Sequence, residues 1–559
     1  MRTASPHHHP LAIALAGALF VSPAVQAQQV VADGTNENPA GGSYSTTGVG
    51  AHAFHVLNGG RIAANDAVVL ATEGNGAAGI RVEGTGSSLY VADATINTRG
   101  DNAAGVTISG ADGAIQIAKV SIETQGSASH GMNVVGSGAS VGHADILTRG
   151  SGAHGVMVSG GGVLELGGGV ITVEGSNANA VMVSGAGSTA RIAGSTLVSR
   201  GAGNYVALAN SGAALHLQDT QVVHEGAGLG VAIHLGSTGD LRNVHITVQG
   251  LGTGLAGGGD VALLGGSVTA VAAGSTAVEA HGGSMRLESV DVRGDYGISA
   301  IGGARLELTG SRVHAANGAL RLSGLGTTAH VEGSELLGDG GAATIAVYDS
   351  ATLELLRSVV RSEGDNRVGI DNRGGAVTLD GAEVHTTGAS SHALYAELSG
   401  AVRPRFDARG TLLSTTGNNA IGAVARKGGS IDLVDSTVLT IGDGAHGVLA
   451  GGVGEMTLAN THVRTEGEGA WAAVINDNGR MSIDGGSLVS AQHGGIWLRS
   501  SRDPVLTLSN GVVVSGGNGI GLALDAAVAG RFDVALDGGS QLHGDIVITP
   551  EDEDAGLVP

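Results

Sequence analysis

DNAAGVTISGADGAIQIAKVSIETQG, residues 101–126, holds three short alternating segments: Val106-x-Ile108, Ile115-x-Ile117 and Val120-x-Ile122. Alternation of this kind over four or five residues marks a strand with one buried face. Gly, Asn, Asp and Ser fill the gaps, as tight turns require. Neighbouring stretches keep the same slots, for example Ile80/Val82 with Leu89/Val91, and Val156/Val158 with Leu164/Leu166. Three strands in a unit of constant length predict an all-β chain, a right-handed parallel β-helix. About 19 coils at the ~4.8 Å spacing of paired strands would make a rod of ~90 Å. A single coil buries too few aliphatics to offset the entropy of ordering its backbone, so stability must come from stacking on neighbours.

The period is audible in a phrase, Thr/Ser-x-Gly-x-x-[Ala/His]-[Gly/Ala]-[Val/Ile/Met]. Its glycines fall at Gly74, Gly100, Gly126, Gly150, Gly175, Gly201, Gly226, Gly250, Gly274 and Gly294, then at Gly364, Gly388, Gly417, Gly442 and Gly467. Self-similarity at this spacing means a stacked array rather than a string of globules. Between Gly294 and Gly364 the phrase fades, although Leu306-x-Leu308 and Leu353-x-Leu355 persist. From Gly388 to Gly417 the spacing stretches and takes in Arg403-Pro404-Arg405, which predicts a loop bulging from the rod.

Composition narrows the function. Glycine is 101 of 559 residues but Pro only 8, with no Gly-X-Y period, which excludes collagen. A net charge of -22 argues against nucleic acid and anionic membranes as partners. With 0 cysteines there is no disulfide framework, thiolate metal site or cysteine nucleophile. Arg2, the apolar run Leu11 to Val21 and the small residues of Val25-Gln26-Ala27 read as a secretory signal. The expected division is therefore a signal peptide at 1–27, an N-terminal cap at 28–49, the parallel β-helix at 50–549 and an acidic tail at 550–559.

A signal peptide, a glycine-punctuated β-helix and no cysteine together resemble the passenger domain of a pertactin-like autotransporter. The resemblance rests on TRGDNAAGVTISG, TRGSGAHGVMVSG and the closing FDVALDGGSQLHGDIVIT, Phe532 to Thr549, and covers about residues 28–549. It implies an exported adhesin, displayed on the cell surface or outer membrane or secreted, acting as a monomer on a host-cell or bacterial surface receptor. It also implies an outer-membrane translocator barrel. Only PEDEDAGLVP follows Thr549, too little for such a barrel, so the expectation is a truncated passenger or a separately encoded exporter. Without a translocator the product would stay in the periplasm. Rival readings are a β-helical carbohydrate-active enzyme and a non-functional autotransporter remnant.

Two Arg-Gly-Asp triplets, Arg99-Gly100-Asp101 and Arg293-Gly294-Asp295, are candidate integrin-binding motifs. Both are centred on a phrase glycine. Among the fifteen phrase glycines Arg precedes four and Asp follows four, so chance pairing of the slots nearly accounts for two triplets. Arg403, Arg405, Trp471 and Trp497 form a candidate partner patch, because aromatic and Arg residues dominate interface energetics. His130, His154, His392 and His446 share one phrase slot and read as exposed turn histidines, since two neutral imidazoles without a third ligand make a poor zinc site. Asp371 with Asp380, and Asp432 with Asp435, read as spaced carboxylates on solvent faces rather than a catalytic pair. No catalytic residue, metal or cofactor is expected, and the chain is read as a non-enzyme.

Overall fold

The computed structural model describes residues 28–499, 504–525 and 534–549; the signal peptide at 1–27 and the acidic tail at 550–559 lie outside them. Within them the chain is a right-handed parallel β-helix of about 20 turns. Among the described residues every strand pairing is parallel, and the register carries from coil to coil apart from shifts between Ser515 and Leu522: Val106 faces Ile80 below and Met132 above, and Ile108 faces Val82 and Val134. The three alternating slots of residues 101–126 form Val106–Ser109 and Ile115–Thr124, the second and third segments running on as one bent strand. All six of their aliphatic side chains are buried.

One continuous aliphatic column follows, from Ala32 to Leu522. At the last described coil Ile546 and Ile548 stack on Leu522 and Leu524 and are 63% and 75% exposed. Residues 28–49, expected as a cap, make the first coil: Val30–Asp33, Asn36–Glu37 and Gly42–Thr46 pair with the strands of the next.

The phrase acquires its physical meaning at one corner. A Cβ built on Gly126 would lie 2.1 Å from the carbonyl oxygen of Gly100, and one on Gly150 1.9 Å from that of Gly126. From Gly74 to Gly201, and again from Gly388 to Gly467, each phrase glycine thus rests directly on the glycine one coil back, and no side chain fits between them; Gly226, Gly274, Gly294 and Gly364 do not stack in this way. Two residues earlier, an inward threonine ties the corner shut. The hydroxyls of Thr72, Thr98, Thr124 and Thr148 each donate at 2.6 Å to the carbonyl five residues on, that of Ala77, Ala103, Ser129 and Ala153. These threonines stack on one another coil by coil.

Through the middle of the rod the same column reads Val173, Ser199, His224, Val248, Ala270 and Gly294. There the corner opens into longer strands such as Gly228–Ile233 and Thr276–His281. The buried hydroxyls of Ser199 and Ser362 in this column have no hydrogen-bond partner. Threonine returns at Thr386, Thr415, Thr440 and Thr465, again bonding the carbonyl five residues on.

Candidate functional site

Arg99-Gly100-Asp101 lies in a corner turn, whereas Arg293 and Gly294 end the strand Asp291–Gly294 and Asp295 makes the bend after it; both triplets are tied into the stack. Asp101 Oδ1 accepts from the Ser127 N–H at 2.8 Å, while its own N–H donates to Asn75 Oδ1 at 3.0 Å. Arg99 pairs with Glu73 at 3.1 Å. Asp295 accepts from the Gly274 N–H and from Asn317 Nδ2, each at 2.7 Å, and Arg293 pairs with Asp291 at 3.0 Å. The recurrence of Asp after the glycine has the same cause elsewhere: Asp365 and Asp443 accept from the Ala389 and Glu468 N–H groups one coil on.

Arg403 and Arg405 are also engaged within the chain. In the connection from Leu398 to Pro404 residues 399–403 are exposed, and Arg403 reaches back to the coils: its Nε donates to the Gly428 carbonyl at 2.6 Å, and its guanidinium pairs with Glu455 at 2.7 Å. Arg405 bridges Asp407 at 2.6 Å and Asp432 at 3.2 Å. Among the described residues no hydrogen bond, ion pair or ring contact joins these arginines to the tryptophans. Trp471 and Trp497 instead stack on each other, ring centroids 5.6 Å apart, over Val474 and Ala523. A Cβ on Gly494 would sit 1.9 Å from the Trp471 ring, so that glycine is its seat. Trp471 is buried, and Trp497 carries Arg499 over its outer face at 5.1 Å.

Further down the same sheet lies a polar cluster around Asp371, a residue expected on a solvent face. Asp371 is 3% exposed, not on a solvent face, because Arg373 lies beside it, with Nε 2.9 Å from its carboxylate. Burial pushes the Asp371 carboxyl up, against the pull of Arg373. Arg373 in turn covers the Tyr395 ring at 5.5 Å, and the Tyr395 hydroxyl donates to Glu397, which pairs with Lys427 at 2.7 Å. Burial, then the bond to Glu397, pushes the Tyr395 phenol up to about 12. For Glu397 burial works upward, but Lys427 and Tyr395 prevail and its pKa is lowered. The two carboxylates therefore differ in environment, yet each is committed to a cation of its own chain.

The slot histidines are a second correction: none is an exposed turn residue. His130, His154 and His392 are half-buried and His446 buried. The His130 and His154 rings stack 5.0 Å apart and 9° from parallel. Among the described residues no group of three His, Asp or Glu side chains could hold a metal ion.

The adjoining sheet carries a groove of about 500 Å³, lined by Glu165, Arg191, His216, Asp240 and Arg242 with Gly142 and Gly167 at its floor. Its carboxylates come from one outward column, Glu165, Arg191, His216, Asp240. Three coil spacings of ~4.8 Å separate Glu165 from Asp240 by ~14 Å, beyond the ~5–9.5 Å that retaining or inverting glycoside hydrolysis requires.

No family model matches the chain. The BrkA autotransporter of Bordetella pertussis is 27% identical over 278 residues, 46% of this chain. The chain resembles an autotransporter passenger. The match spans 23% of that autotransporter's length. Among solved structures, a chain in the cryo-EM structure of the Vag8–C1 inhibitor complex aligns over 94% of this chain and 100% of its own length, at 14% identity and a TM-score of 0.35. No helix among the described residues is long and apolar enough to cross a membrane, which says nothing of a β-barrel.

Proposed function

We propose that this chain is the exported rod of an autotransporter and works as an adhesin, by binding rather than by turnover. A signal peptide at 1–27 and an outer-membrane translocator would carry it to the cell surface, where it acts as a monomer on a receptor of a host or bacterial cell. The relation to the BrkA autotransporter supports export. Rigidity supports display, since one unbroken core holds outward side chains at fixed coil spacing.

The observation that carries the binding reading is a strip of arginine–aromatic pairs along one sheet: Arg321 over Tyr348 at 6.0 Å, Arg373 over Tyr395 at 5.5 Å and Arg499 over Trp497 at 5.1 Å. Residues of this kind dominate binding energy at protein interfaces, and here they are half-exposed on a stiff face. The Arg-Gly-Asp triplets contribute less to this reading, because their Asp side chains already serve the stack.

Attachment of chain-coated beads to epithelial cells and to bacterial cells tests the proposal. Attachment above that of uncoated beads is expected, falling about tenfold in a Tyr348→Ala/Trp497→Ala/Arg321→Ala variant that still melts cooperatively. Attachment no better than that of uncoated beads would remove the adhesin reading. Unchanged attachment of the triple variant would remove the strip. Asp101→Glu with Asp295→Glu is expected to leave attachment unaltered; its loss would return the triplets to the centre.

A further inference from the structure

Five histidines do the same thing with the same atom. The Nδ1 of His52 accepts from the Ala78 N–H at 2.9 Å, that of His130 from the His154 N–H at 3.1 Å, and that of His154 from the Asn179 N–H at 3.0 Å. His392 accepts from Ile421 N–H at 3.0 Å and His446 from Trp471 N–H at 3.1 Å. In each pair the donor lies one coil further along the rod. A ring nitrogen that accepts from an amide carries a lone pair, so each ring is neutral with its proton on Nε2. The accepting atom is also the atom that acid protonates. Protonation therefore turns an acceptor into an N–H facing an N–H, and places a cation in a half-buried seam.

Little surrounds these rings to welcome that cation. His52 faces His55, Arg81 and Glu83, and Glu83 is already bonded to both Arg81 and His55. His130 and His154 face each other. His392 lies against the Tyr395 ring with Arg426 nearby, and His446 against Trp497 with His493 and Arg499 nearby. We propose that this slot is an acid-sensitive clamp between coils, unfastening the two flanks of the rod in mildly acidic surroundings while the middle stays laced.

The slot contains its own control: Asn179 occupies it, and its Oδ1 accepts from the Tyr205 N–H at 3.2 Å without a group that titrates. Burial pushes His52, His154, His392 and His446 down to about 4, and lowers His130 as well. An unfolded histidine titrates near ~6.5, so below that pH an opened coil binds more protons than a closed one. The stabilisation is complete above the unfolded value and is lost as pH falls toward 4. In the middle of the rod, buried His224 has the same sign, whereas His330, raised by its bond to Glu354, has the opposite one.

Hydrogen exchange of the purified chain at pH 7.4 and pH 5, with labelling times scaled for intrinsic chemistry, tests the clamp. Peptides holding the amides of Ala78, His154, Asn179, Ile421 and Trp471 are expected to lose protection by about tenfold or more at pH 5. Peptides from 250–320 should change far less. A variant with all five histidines replaced by Asn should keep its flank protection at pH 5. Equal acid loss in wild type and variant, or no loss in either, would overturn the proposal. Should the fivefold variant fail to fold, His154→Asn alone, beside the natural Asn179, must abolish the loss at the Asn179 amide. A wild-type imidazole titration above pH 6 at His154, His392 and His446 would overturn it equally.

Discussion

The flanks of the rod and its middle have the same core and the same sheets but close their corner differently. In the flanks an inward threonine bonds the carbonyl five residues on, and stacked glycines leave room for the turn. In the middle the threonine gives way to Val248, Ala270 and Gly294, and six-residue strands such as Gly252–Gly257 run through the corner instead. The corner has already changed at Val248 and Ala270, where the phrase glycines still keep their spacing, and the pairing runs on unbroken beyond Gly294 where the phrase fades. Side-chain burial sets the rod; the phrase encodes how it turns.

Substituting glycines should expose this contrast most strongly. Gly126→Ala forces a Cβ to 2.1 Å from a backbone oxygen and should cost upward of ~3 kcal/mol in local stability, since neither coil can move alone. Gly226→Ala meets nothing closer than 3.6 Å and should be neutral or gain up to ~1 kcal/mol. Hydrogen-exchange opening energies of the flanking peptides measure both; equal costs would erase the distinction between the two corners. A middling effect is expected from the threonine column. Thr124→Val strands the buried Ser129 carbonyl and should cost about 1–2 kcal/mol, whereas Val248→Thr buries a hydroxyl where no such turn exists and should cost about 1–3 kcal/mol. Val173→Thr sharpens the boundary. A Cβ on Gly175 would still lie 1.9 Å from the Gly150 carbonyl oxygen there, so the turn is of the flank type and the new hydroxyl should stabilise by up to ~1 kcal/mol.

The smallest effect belongs to the outside. Glu174 bridges Arg149 at 2.6 Å and Arg200 at 3.2 Å, but all three side chains are substantially exposed. Glu174→Gln should change the opening energy by less than ~1 kcal/mol and less still at high salt. A larger loss would mean that the flank ladder of charges matters as much as its threonines.

The strands were legible because alternation is a local signal: Val106, Ile108, Ile115 and Ile117 declare their buried face within a few residues. What the phrase does was harder to read. Its glycines stood out, but the hydroxyl bond of Thr124 depends on the path of the turn that follows. The histidine slot and Asp371 were misread for a related reason. Asn179 and Tyr395 belong to neighbouring coils, which no window along the chain brings together, and although Arg373 stands only two residues from Asp371, its position over the Tyr395 ring depends on that next coil. Repetition did hint at the answer, since a side chain kept at one slot in several coils has a partner displaced by one period. Arg403 was legible as an irregularity in spacing, but not as the partner of Glu455.

The parallel register carries a consequence for how such a rod comes into being. Thr98 meets Thr124 and Thr124 meets Thr148, so each new layer joins chain that was laid down about 25 residues earlier. Closing a loop costs entropy that grows with its length, and here that length is nearly constant from one end to the other. The polypeptide never has to bring distant segments together. Growth can proceed like a zip, each finished layer offering a full row of donors and acceptors to the next, and a chain of any number of layers faces the same step again.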